Sequence, residues 1–123
     1  MKTITVISRI IFGAWLFTLM IFCFSPAISW ADPPQDVKIE YDSGTQTLTA
    51  TITHPSSFPK IHHIKTVEIK KNSSSVSSTN YETQPKEVPF NYTYKLVAAK
   101  GDKLEVTATC NFSGSKTATI TVP

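Results

Sequence analysis

The sequence predicts an all-β fold, and three observations predict it. Beyond residue 31, apolar and polar residues alternate with a period of two almost everywhere, turn-forming Gly, Asn, Asp and Pro recur at short intervals, and no stretch carries a helical period. Pro33 and Pro34 keep the leader from Asp32 to Asp36 out of any early ladder. Val37, Ile39 and Tyr41 then alternate with Lys38, Glu40 and Asp42, a strand with one apolar face. An Asp42-Ser43-Gly44 turn opens the cleanest strand of the chain, with Leu48, Ala50, Ile52 and His54 on one face and Thr47, Thr49, Thr51 and Thr53 on the other. His54 therefore continues an apolar face.

Pro55 stops that strand and Pro59 stiffens the loop after it. A third strand runs from about Ile61 to Lys70, with Ile64, Val67 and Ile69 as its apolar content. The Ser-rich stretch from Asn72 to Asn80 reads as a mobile loop or a weak edge strand. Val88, Phe90, Tyr92, Tyr94 and Leu96 resume the alternation, and Pro89 on the polar side marks an edge position or a bulge. After a Lys100-Gly101-Asp102 turn, Leu104, Val106, Ala108 and Cys110 share a face, and Ser113-Gly114-Ser115 leads into a last strand that buries Ala118, Ile120 and Val122. About seven antiparallel strands of this kind fit an immunoglobulin-like β-sandwich, with a small closed barrel as the alternative. The paired cysteines and core tryptophan of antibody domains are missing, so that likeness is one of architecture only.

The first 31 of the 123 residues read as a secretory signal. Lys2 and Arg9 form a basic start, Ile10 to Phe24 an apolar stretch shorter than a spanning helix needs, and Ser29-Trp30-Ala31 a small-x-small cleavage site. Bulky Ile21 and Phe22 before Cys23 do not fit a lipid-attachment signal. The expected product is one small domain over residues 32–123, periplasmic or secreted and not embedded in a membrane. It carries ten lysines against nine carboxylates, a net charge of +1, which argues against a nucleic-acid partner. Cys110 is its sole thiol, so no disulfide forms within it.

Four residues of the mature chain are strong soft or borderline metal donors: His54, His62, His63 and Cys110. His54 ends the second strand, the His pair begins the third, and Cys110 ends the penultimate one. In a sandwich of this type the connections concerned lie at one end, so the donors converge on one rim. Successive strand residues point to opposite faces, so His62 and His63 both join one site only if the strand starts after them. Taken singly, Cys110 is a small buried hydrophobe and His54 a loop histidine; the predicted convergence is what favours a metal. Lys60, Lys65, Lys70 and Lys71 read as a solvated surface that blunts a sheet edge. Asn-x-Ser/Thr triplets at Asn72, Asn91 and Asn111 arise by chance in so Ser/Thr-rich a chain. No Ser/His/Asp order, phosphate loop or carboxylate pair stands out.

His54-Pro55, His62-His63-Ile64, Glu68-Ile69 and Cys110-Asn111-Phe112-Ser113-Gly114 together resemble the desulfoferrodoxin or superoxide reductase-like domain. The likeness runs from Thr51 through Pro85 to Tyr94 and Leu104 to Val122. It implies an immunoglobulin-like sandwich holding a mononuclear non-heme iron by four histidines and an axial cysteine, where superoxide takes one electron and leaves as hydrogen peroxide. Position by position, it places metal ligands at His54, His62 and Cys110. Ser113 stands where the family has a further histidine, and the family's earliest histidine has no counterpart between Asp32 and Thr53. The resemblance thus implies an exported metal-binding domain acting on superoxide or another small molecule, with an electron donor the sequence does not identify. Zinc or copper are alternative metals, although a blue-copper site expects a methionine and the mature chain has none. The alternative functions are a non-catalytic binding or structural module of the cell envelope and a metal carrier.

Overall fold

The computed structural model describes residues 32–123; the signal segment expected over residues 1–31 lies outside the described residues. Seven strands follow one another: β1 (Asp36–Asp42), β2 (Thr47–Thr53), β3 (Ile64–Lys71), β4 (Ser74–Asn80), β5 (Phe90–Lys95), β6 (Lys103–Cys110) and β7 (Ser115–Thr121). They form two antiparallel sheets, ordered β1-β2-β5 and β4-β3-β6-β7. This is the expected immunoglobulin-like sandwich, and because the sheets stay separate it is not the closed barrel. No helix occurs among the described residues.

Alternation dictates the core. Leu48, Ala50 and Ile52 of β2 and Leu104, Val106 and Ala108 of β6 are fully buried, while the residues between them are only half-buried. Ile64, Val67 and Ile69 of β3 complete the inner layer. Each such Leu, Ile or Val contributes roughly 1.5–3 kcal/mol by leaving water. Because His54 and Cys110 continue the inward faces of β2 and β6, the packing that builds the core also aims both at one end of the sandwich.

The structure departs from the sequence reading at the edges. Of the two readings of Asn72 to Asn80 the edge strand holds and the mobile loop does not: Asn72 and Ser73, with φ of 52° and 70°, form a two-residue turn into β4, which pairs with β3 along its length. Positive φ at both central residues is the primed hairpin turn that matches strand twist. The strand escaped the alternation test because an edge strand is held by one backbone ladder and needs no apolar face. The third strand starts at Ile64 and not near Ile61, because the Phe58 carbonyl accepts the N–H groups of Ile61 and His62 in a turn. Ala118 and Ile120 are half-buried rather than buried, since β7 is the other edge of its sheet; Val122, just past it, is buried. Pro89 precedes β5, which is an edge strand as the proline required.

The left-handed backbone at Ser73 carries the steric cost of its Cβ, so Ser73→Gly is expected to stabilise the protein by about 0.5–1 kcal/mol after the added freedom of the unfolded chain is counted. A urea midpoint below that of the wild type would contradict this account of the turn.

Candidate metal centre

Three strand boundaries meet at one end of the sandwich. His54 is the residue after β2, His62 lies two residues before β3, and Cys110 is the last residue of β6. The segment before β3 is tied to the end of β6 from both sides. The Asn111 N–H donates to the His63 carbonyl (3.0 Å), the Asn111 side chain accepts the His63 N–H (3.0 Å), and its amide donates to the Ile61 carbonyl (2.7 Å). Ser56 Oγ donates to the His62 carbonyl at 2.6 Å, and the Cys110 N–H closes the β6–β7 turn onto Gly114 O at 3.0 Å. As a result, one ligand atom each from His54, His62 and Cys110 all lie within 4.8 Å of one another. His62 Nε2 stands 3.1 Å from Cys110 Sγ, and the His54 and His62 rings meet edge to face at 4.6 Å.

The His54 ring is oriented by a residue that no sequence signal marked. Gln84 is buried and spans the two sheets: its amide nitrogen donates to the His54 carbonyl (2.6 Å), and its Oε1 accepts the Ile64 N–H (3.0 Å). A backbone N–H can only donate and a carbonyl can only accept, so the amide orientation is fixed. The same Oε1 lies 2.7 Å from His54 Nδ1, which must therefore carry hydrogen. The other ring nitrogen, Nε2, faces the cluster and lies within hydrogen-bond distance of the Asp32 main-chain oxygen, 3.0 Å away. A histidine whose far nitrogen donates to a buried oxygen is the supporting arrangement seen around metal-ligating histidines.

The remaining donors have matching character. Cys110 is buried, 5% exposed, and its sulfur accepts the Phe112 N–H at 3.4 Å. Burial first, and repulsion from His54 second, hold His62 below the usual imidazole range, keeping a neutral ring with a lone pair available. Atoms bound to one ion at about 2.0–2.3 Å lie within about 4.6 Å of one another. The three donors therefore need only small adjustment to share an ion. One sulfur and two imidazoles suit iron, zinc or copper and leave a coordination position open.

The three residues predicted from sequence are thus brought together, while His63 is directed elsewhere. Although β3 starts after both histidines, the His63 Nε2 faces the Tyr81 carbonyl at 3.1 Å, and its Nδ1 is buried without a hydrogen-bond partner among the described residues. Ser113 and Lys60 are exposed. Sequence reasoning also missed the leader. The Asp32 main-chain oxygen lies 3.0 Å from His54 Nε2, Pro34 is buried, and Pro33 packs so closely on Gly114 that a Cβ at Gly114 would collide with it. Gly114 has φ of +77°, a conformation that itself favours glycine. Phe58, Ile61 and Phe112 surround His62 in sequence and space as exposed apolar residues, the Phe112 ring 5.4 Å from that of His62.

No protein-family model and no curated protein matches the chain. Among solved structures it is similar to a superoxide reductase (neelaredoxin) variant from Ignicoccus hospitalis, at 18% identity over 72% of this chain and 79% of that one, with a TM-score of 0.47. It is also similar to a superoxide reductase in the oxidized state, at 17% identity over 77% of this chain and 93% of the other, with a TM-score of 0.49. The fibronectin(III)-like modules of Clostridium thermocellum CbhA match at 23% identity over 71% of this chain and 96% of theirs, with a TM-score of 0.37.

The depressed His62 yields a signed pH dependence for the metal-free protein. Below its ordinary value of 6.5 the unfolded chain takes up a proton that the folded ring resists, so this contribution to stability is complete above 6.5 and is lost as pH falls. Urea unfolding with a chelator, at about pH 7.5 and about pH 5.5, should show a smaller drop for His62→Gln than for the wild type. Equal drops would show that His62 is not held neutral by the fold.

Proposed function

We propose that the domain binds one first-row transition metal ion through His54, His62 and Cys110. The observation that carries this reading is the convergence of a buried sulfur and two imidazoles from three separate strand ends, with one ring oriented by Gln84. A histidine whose far nitrogen donates to a buried oxygen is held in the orientation that metal-ligating histidines adopt.

Within this reading, the motif resemblance favours iron and superoxide. A bound iron would supply one-electron exchange, so that superoxide, one electron from an external donor and two protons give hydrogen peroxide. The chain's own residues would hold that centre: Cys110 as the anionic sulfur, which accepts the Phe112 N–H, and His54 and His62 as neutral ligands. His62, half-buried beside exposed Phe112, marks the side open to a small molecule. Ser113 in place of the family's further histidine leaves fewer imidazoles on the ion, which weakens ferrous binding and widens the open face. Export from the cytoplasm belongs to the same proposal and rests on the signal-like residues 1–31. The half-exposed His62 also favours ready metal exchange, which a carrier would use.

Titration of the metal-free protein with cobalt(II), followed by its sulfur-to-metal absorption, is expected to saturate at one ion per chain. Cys110→Ala should abolish that absorption. Gln84→Leu should weaken binding by about 10–100-fold, the range for removing a group that orients a ligand. Absence of stoichiometric binding in the wild type would remove the metal reading. If iron-loaded wild type and Cys110→Ala consumed superoxide at equal rates, the catalytic part would fall alone.

A further inference from the structure

Three of the large apolar side chains left exposed stand together at the end where His54, His62 and Cys110 meet: Phe58, Ile61 and Phe112, at 69%, 63% and 56% exposure. They come from two loops, residues 54–63 and 111–114, which the backbone clasps together. The Phe58 carbonyl accepts the Ile61 N–H at 2.9 Å, and the side-chain amide of Asn111, the neighbour of Phe112, donates to the Ile61 carbonyl at 2.7 Å. The result is one apolar rim beside half-buried His62, whose ring lies 5.4 Å from that of Phe112. None of the three side chains packs on the core. Large apolar groups gathered on a surface mark a place that another phase or molecule covers.

We infer that this rim docks on an anionic phospholipid bilayer, with Phe58, Ile61 and Phe112 entering the headgroup layer and Lys60 meeting lipid phosphate. Two observations select this occupant. The first is charge: the two loops carry Lys60 and no carboxylate, and Lys116 follows the second of them, while Asp32 and Glu82 belong to other segments. A second copy of the chain would set Lys60 against its own counterpart. The second observation is where the chain enters the domain. Asp32, with which the described residues begin, lies at this end, its main-chain oxygen 3.0 Å from His54 Nε2. Only residues 25–31 separate it from the apolar stretch Ile10 to Phe24. That connection spans at most about 29 Å when fully extended, so engagement of the stretch with a bilayer during export keeps the rim within reach of the same bilayer. Apolar side chains flanked by lysine are the composition of an interfacial anchor, which lies on a membrane without crossing it. This inference does not rest on the metal reading.

The test uses the full metal-free chain with Trp15→Phe and Trp30→Phe, which removes both native tryptophans. To this background is added either Phe58→Trp or Val97→Trp. Val97 is equally exposed, at 67%, and lies at the opposite end of the sandwich, beyond Lys95, which pairs with Thr47 at the start of β2. Vesicles of phosphatidylglycerol and phosphatidylcholine in equal parts, with and without bromine on the acyl chains, then report contact with lipid. Bromine should quench the Phe58→Trp fluorescence about twofold or more and leave that of Val97→Trp unchanged, and Lys60→Glu should weaken the quenching. A chain that sediments with the vesicles but shows no quenching at position 58 would overturn the inference and leave the rim to a protein partner. Equal quenching at positions 58 and 97 would overturn it as indiscriminate adsorption, and quenching untouched by Lys60→Glu would overturn the assignment to anionic lipid.

Discussion

Everything at the end of this sandwich where His54, His62 and Cys110 meet depends on the carboxamide of Gln84. His54 belongs to the end of β2 in one sheet and Ile64 begins β3 in the other; a single buried side chain bonds to the backbone of both. Leaving either buried backbone group unsatisfied would cost about 1–3 kcal/mol, so the amide fixes the spacing of the two sheets where the site forms. Its third bond, to the His54 ring, turns that structural tie into a chemical one, because it orients the imidazole toward the other two donors.

The segment that delivers Gln84 is fastened in turn. The Tyr81 N–H donates to Lys65 O at 2.7 Å, its carbonyl faces His63, its hydroxyl pairs with that of Tyr94 at 2.7 Å, and its ring stacks on Tyr92 with centroids 4.2 Å apart. Burial, with the neighbouring Tyr81 as a further cause, pushes Tyr92 up to about 12 and Tyr94 higher still. These hydroxyls stay neutral at physiological pH and act as packing and hydrogen-bonding groups. The tyrosines thus anchor the connection between β4 and β5 to the open side of the sandwich, and His63 is spent on that anchorage, not on the cluster.

Most of the fold was legible because a strand with one buried face must alternate. The Leu48, Ala50, Ile52 series carried His54 inward by simple parity, and the Leu104, Val106, Ala108 series did the same for Cys110. The convergence of the donors followed from the end of the sandwich at which those strands finish. Other features left no periodic trace. Edge strand β4 is stabilised by backbone pairing that any side chain permits, so its serines left strand and loop equally open. The choice between His62 and His63 depended on where a loop turned, which the Phe58 carbonyl decides. Gln84 and the Asp32 oxygen act through one amide and one main-chain atom, and neither hydropathy nor spacing reports on such groups.

The three donors do not come from one sheet. His54 hangs from the β1-β2-β5 layer, whereas His62 and Cys110 belong to the β4-β3-β6-β7 layer. An ion held by all three would rivet the two layers together at the end opposite the Gly101 turn, much as the inter-sheet disulfide does in antibody domains that possess one. In a domain with a single thiol, such a reversible crosslink would make resistance to unfolding a function of metal supply, amounting to about 4 kcal/mol at a thousandfold excess over the dissociation constant.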